Sequence, residues 1–64
     1  MKLLSYNNKY VKLIDMENNE FIGIAYYMDA ETNESEEDIL DIKTKTGAYY
    51  GFYESDIKSI ERLY

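Results

Sequence analysis

The sequence contains no cysteine, no histidine and no proline, and only 3 of its 64 residues are glycine. Each absence closes off some chemistry. Without cysteine there is no disulfide to hold a small fold, and no thiolate to bind a metal or attack a substrate. Without histidine the commonest zinc ligand and the commonest general base are both missing. Ser5, Ser35, Ser55 and Ser59 therefore have no imidazole to activate them. The glycines are scattered and form no phosphate-cradling loop. A carboxylate pair such as Glu17 with Glu20 needs a desolvated cleft before one pKa moves far enough for acid–base work, and these two flank an exposed turn. No catalytic residue, cofactor site or metal site is expected, and the chain is not read as an enzyme.

Long hydrophobic runs are absent too. The longest apolar stretch, Phe21 to Met28, has the length of a strand and not of a membrane span. Met1-Lys2-Leu3-Leu4-Ser5-Tyr6 carries a lysine, but its apolar run is too short for a signal peptide. The glycosylation pattern Asn33-Glu34-Ser35 carries no weight in that setting. The expectation is a soluble, cytoplasmic chain with no membrane contact, and the lack of cysteine fits a reducing compartment.

Residues 1–64 make one domain. A domain of this size buries only about 60% of the surface its unfolded chain exposes. With no staple available, self-association is a natural supplement to a small core.

The net charge of −6 is unevenly spread. Asp29, Glu31, Glu34, Glu36, Glu37, Asp38 and Asp41 fall together without a base among them, so residues 29–41 form an acidic loop on a near-neutral body. An acidic chain is repelled by phosphate at long range, which disfavours non-specific binding of nucleic acid or an anionic membrane.

What is present is strand signal. Tyr10-Val11-Lys12-Leu13-Ile14-Asp15 is β-branched and aromatic and alternates loosely. Glu17-Asn18-Asn19-Glu20 follows, with asparagines suited to the left-handed positions of a tight turn. Phe21 to Met28 is apolar on both faces, as in a bent strand that serves two sides of a barrel, and Gly23 permits the bend or a close backbone approach. After the acidic loop, Ile39 to Thr44 reads as a third strand with Leu40 and Ile42 facing in. Lys45-Thr46-Gly47 is a hairpin turn, and Ala48 to Tyr53 is a fourth strand with Tyr50 and Phe52 on one face. Ile57 to Leu63 is read as a fifth strand. The competing reading is a short helix, since Ile57, Ile60 and Leu63 sit at helical spacing and Ser55 or Asp56 could cap it. Lys2 to Asn7 is expected to form a helical turn over one end. Five short strands suit a small all-β barrel, whose closure removes exposed edges.

Val11-Lys12-Leu13-Ile14-Asp15, a polar turn, then Phe21, Gly23 and Tyr27 resemble the opening of Sm-like proteins, which have an SH3-like five-stranded barrel. The later part, Gly47 through Glu61, is similar to a group of short uncharacterised proteins of Firmicutes and their mobile elements. The resemblance covers about residues 9–63 and implies a fold, not an activity. The RNA-binding motif of Sm-like proteins has only an echo in Asp29-Ala30-Glu31-Thr32-Asn33, and Tyr50-Gly51 stands where a basic residue and glycine would complete the uridine pocket. No RNA-pocket residue is therefore carried over.

Two features remain as candidate sites. Read as a calcium loop, Asp29, Glu31 and Asn33 hold the first three ligand positions, but Glu34 stands where glycine is needed and Leu40 where the closing glutamate is needed. Weak cation association by residues 29–41 is the most such a loop offers; a solvated charged loop is the simpler reading. Tyrosine is the stronger feature, with 8 in 64 residues. Neighbours such as Tyr26/Tyr27 and Tyr49/Tyr50 must point to opposite faces of a strand, so some stay outside. Tyr26, Tyr27, Tyr49, Tyr50 and Tyr53 are the candidate partner-binding residues. The expected function is a non-enzymatic binding module for a protein partner or for itself as a homo-oligomer. The alternatives are Sm-like binding of single-stranded nucleic acid by tyrosine stacking, or cation binding by the loop.

Overall fold

Side-chain alternation along five short strands decides which residues meet in the interior. The structure, a computed structural model, describes residues 2–63. Met1, and Tyr64 among the tyrosines, lie outside the described residues. The strands are β1 (Tyr10–Asp15), β2 (Glu20–Met28), β3 (Ile39–Lys43), β4 (Tyr49–Tyr53) and β5 (Ile57–Arg62). A 3-10 turn at Leu3–Tyr6 precedes them, and a second at Glu54–Asp56 separates β4 from β5. The strands form one antiparallel sheet in the order β4-β3-β2-β1-β5. The protein is thus all-β with the five strands expected.

The nine residues of β2 do two jobs. Glu20 to Ile24 pair with β1, and Ile24 to Met28 pair with β3. Ile24 is the swivel, facing Tyr10 on one side and Lys43 on the other. Gly23 sits beside it because nothing larger fits there: an added Cβ would overlap the Lys43 carbonyl oxygen and lie 3.1 Å from Ile42 Cγ2. The sheet thereby curls around one core of Val11, Leu13, Ala25, Leu40, Ile42, Phe52 and Ile57. Leu3 completes it from the first 3-10 turn, so the helical turn expected over Lys2–Asn7 does cover the interior. That turn is fastened by Asn7, whose Oδ1 accepts the Tyr27 amide at 2.9 Å, and by the Asn8 amide donating to the Ala25 carbonyl at 2.7 Å.

Beyond the 3-10 turn at Glu54–Asp56 the chain is not helical; β5 is a strand from Ile57 to Arg62, and its misleading spacing has a local cause. Ser59 pairs with Ile14, but the next rung joins Ile57 to Asp15 and skips Lys58. This β-bulge lets two isoleucines three residues apart both turn inward. At the other end of the fold, β4 and β5 form the two margins of the sheet and share no ladder among the described residues. The hydrogen-bonded closure expected from the sequence is therefore corrected. Phe52 and Ile57 close the core by packing, and the Glu54–Asp56 turn spans the seam between them.

The β1–β2 turn is set by one carboxylate. Asp15 Oδ1 accepts the amides of Glu17 and Asn19, each at 2.9 Å, while Asn18 takes a left-handed φ of 67°. The Asn19 amide chiefly holds the Asp15 carboxyl below the usual range. A depressed carboxylate stabilises the fold at neutral pH and loses that contribution as pH falls through its folded-state pKa. Asp15→Asn is accordingly expected to melt below the parent at pH 7, with the gap closing in acid. A gap that stays constant down to pH 2 would contradict this assignment of the turn.

Candidate functional site

Three rungs of the sheet build an outer face across β2, β3 and β4. They are Met28–Ile39–Tyr53, Tyr26–Asp41–Gly51 and Ile24–Lys43–Tyr49. Each lies opposite the core because its neighbours Leu40, Ile42 and Phe52 point inward. The five candidate tyrosines divide accordingly. Tyr26, Tyr49 and Tyr53 share the outer face; the rings of Tyr26 and Tyr49 lie 6.5 Å apart, and Tyr49 and Tyr53 are 59% and 46% exposed. Tyr50 is on the inner face at the mouth of the barrel, its ring 5.0 Å from Phe21. Tyr27 is also inward, packed against the core. The structure therefore brings three of the five together and separates two.

Tyr27 has a different employment. Its hydroxyl donates to Asp38 Oδ2 at 2.9 Å, while Asp38 Oδ1 accepts the Ala30 amide at the same distance. The bond to Asp38 pushes the Tyr27 phenol above its ordinary pKa. The pair staples both ends of the acidic loop to β2. Removing the hydroxyl by Tyr27→Phe is expected to lower the melting temperature and to speed amide exchange at Ala30. Unchanged exchange there would show that the loop is held by something else.

Two further loop carboxylates are similarly occupied. Glu37 accepts the Ser55 amide at 2.8 Å and the Ser55 hydroxyl at 2.9 Å, tying the loop to the turn after β4. Asp29 Oδ1 accepts the Glu31 amide at 2.9 Å. Among the described residues, no three acids converge in a way that could hold a metal ion. Asp29, Glu37 and Asp38 thus serve as hydrogen-bond acceptors that hold the loop and its neighbours in place.

One residue that sequence reasoning passed over stands at the centre of the outer face. Asp41 lies half-buried between Tyr26 and Gly51. Burial raises its carboxyl above the usual range. Among the described residues its neighbour Lys43 forms no ion pair with it; the Lys43 ammonium instead lies 5.8 Å from the centre of the Tyr49 ring. Met28, Ile39, Asp41, Gly51, Phe52 and Tyr53 line a groove of about 250 Å³ at this point. Ile39 and Tyr53 also border a second hollow, of about 530 Å³, walled by residues 33–37 of the acidic loop. Only the alternation of Asp41 with inward Leu40 and Ile42 hinted at its place; its neighbours across two strands are invisible in the sequence.

Among the described residues no helix is long and apolar enough to cross a membrane. No protein-family model matches the chain, and no curated protein matches it. A solved structure does. A chain from the work on activation of the Dcp1:Dcp2 mRNA decapping complex by Edc3 and Scd6 aligns with a TM-score of 0.72 at 16% identity. The alignment covers 98% of this chain and spans 60% of the length of that one. The likeness to a chain from a protein complex is one of fold: a small β-rich domain.

Proposed function

We propose that the chain is a non-enzymatic, cytoplasmic protein-interaction module of Sm-like fold that docks its partner on the outer face of β3 and β4. One observation carries this reading: Tyr26, Tyr49 and Tyr53 share one face of the sheet, the last two on its marginal strand β4. Tyrosine gives a large contact area with few rotors, which makes it a frequent anchor at interfaces. The margin of β4, which shares no ladder with β5 among the described residues, adds a second attraction, since an extended segment can hydrogen-bond along it. The bent β2 with Gly23 at its swivel supports the Sm-like kinship, and the fold's likeness to a chain from a protein complex is in keeping with the role.

The test is photo-crosslinking. A benzoylphenylalanine at Tyr49 is expected to trap one discrete protein, whereas the same group at exposed Leu4 is expected to trap none. Equal adduct patterns from the two positions would overturn the reading. Sedimentation then decides whether the partner is a second copy. Nucleic acid is the weaker reading, because Asp41 and the acidic loop lie beside the tyrosines that would stack bases. No change in anisotropy of labelled oligo-uridine is expected, even at low salt.

A further inference from the structure

The outer face bears a groove whose chemistry is specific enough to name an occupant. It is lined by Met28, Ile39, Gly51, Phe52 and Tyr53, and its one charged residue is Asp41. Gly51 contributes no side chain, and this keeps the carboxylate uncovered: an added Cβ there would stand 3.0 Å from Asp41 Oδ1. No hydrogen bond or ion pair to the Asp41 side chain forms among the described residues, although Lys43 is two residues away on the same face. A largely apolar groove that holds an unpaired acid and an aromatic ring is complementary to a long aliphatic stem with a cationic head.

We propose that this groove receives an arginine side chain from an extended, basic segment of a partner protein. This deepens, and rests on, the reading of the chain as a protein-interaction module. The methylene stem lies along Met28 and Ile39. The guanidinium is the better head than an ammonium, because it stacks flat on a tyrosine and offers a fork of donors to a carboxylate. Charge outside the groove points the same way. Ile39 and Tyr53 pass directly into the hollow beside residues 33–37, where Glu34 and Glu36 stand, so a second basic side chain on the same segment would meet acids again. A second copy of this chain, with its net charge of −6, is a poorer match than a basic partner.

The paired probes are the capped pentapeptide Gly-Arg-Gly-Arg-Gly and the same peptide with citrulline in place of both arginines. Citrulline keeps the shape and removes the charge. Titration followed by amide NMR is expected to move Ile39, Asp41, Gly51 and Tyr53, saturably, with the arginine peptide. The citrulline peptide is expected to bind at least about tenfold more weakly, and Asp41→Asn to lose about tenfold for the arginine peptide, as removal of a charge-assisted bond does. Asp41→Asn is also expected to melt no lower than the parent at neutral pH, because it removes a charge that burial disfavours. Tyr53→Leu, which keeps the apolar wall, is expected to weaken binding as well. Equal affinity for the two peptides, an unaffected Asp41→Asn variant, no binding, or shifts confined to residues 29–38 would each overturn the proposal. The module reading fails on a different result, the loss of a Tyr49-specific crosslink. A crosslink that survives while the arginine peptide is ignored would remove the arginine and leave the module.

Discussion

Gly23→Ala is expected to lower the melting temperature by roughly 10–20 °C. The estimate combines an overpacking cost of about 1–3 kcal/mol with about 4–8 °C per kcal/mol for a domain of this size. The upper end applies because the obstacle is main chain. The added methyl would lie 2.7 Å from the Lys43 carbonyl carbon and closer still to its oxygen, and neither can rotate away as a side chain would. Relief requires β2 and β3 to separate at Ile24, where the strand changes partner. Thermal unfolding followed by circular dichroism is the measurement. A variant melting within about 3 °C of the parent, less than 1 kcal/mol, would mean that β2 does not pass so close to β3.

Leu40→Ala is expected to remove about half of the stability of the fold. Leu40 is fully buried at the middle of the sheet, with Tyr27 opposite it on β2 and Phe52 on β4. Truncating such a leucine costs about 2–5 kcal/mol, against a total of roughly 3–10 kcal/mol for a chain of this length. Neighbouring side chains have little slack to fill the void, since Ile42 and Leu13 are fully buried as well. Urea titration would show the midpoint fall steeply. The contrast is Leu4, which is 62% exposed on the first 3-10 turn. Leu4→Ala is expected to shift stability by under about 0.5 kcal/mol. Similar losses from both variants would place the core elsewhere.

Local signals were the legible ones. β-branched and aromatic runs marked all five strands, and Gly47 marked the hairpin, where its φ is 87°. Alternation correctly sent Tyr26 and Tyr27, and Tyr49 and Tyr50, to opposite faces. What alternation cannot supply is which residues of other strands lie alongside. Tyr27 looked like any other surface tyrosine until Asp38, eleven residues later, proved to hold its hydroxyl. Asp41 looked like one more acid of an acidic loop, yet it belongs to β3, and its environment is made by Tyr26 and Gly51 from two neighbouring strands. The spacing of Ile57 and Ile60 was ambiguous for a related reason. A bulge imitates a helical interval, and the register that distinguishes them is set by β1, some 45 residues away. The seam between β4 and β5 was misjudged because the need to satisfy an edge says nothing about whether a ladder or mere packing meets it.

Lys58 is a spare residue in the count of β5. In most strands the loss of one residue inverts every side chain beyond the gap. Here a deletion of Lys58 would leave Ile57 and Ile60 two positions apart, opposite Asp15 and Leu13 in an unbroken register. The hydrogen bond from the Lys58 ammonium to Asn18 would be forfeited, but the interior would keep its lining. The last strand thus tolerates a shortened chain, whereas loss of Asp41 from β3, which has no such reserve, would set Leu40 and Ile42 on opposite faces and turn one of them out to water.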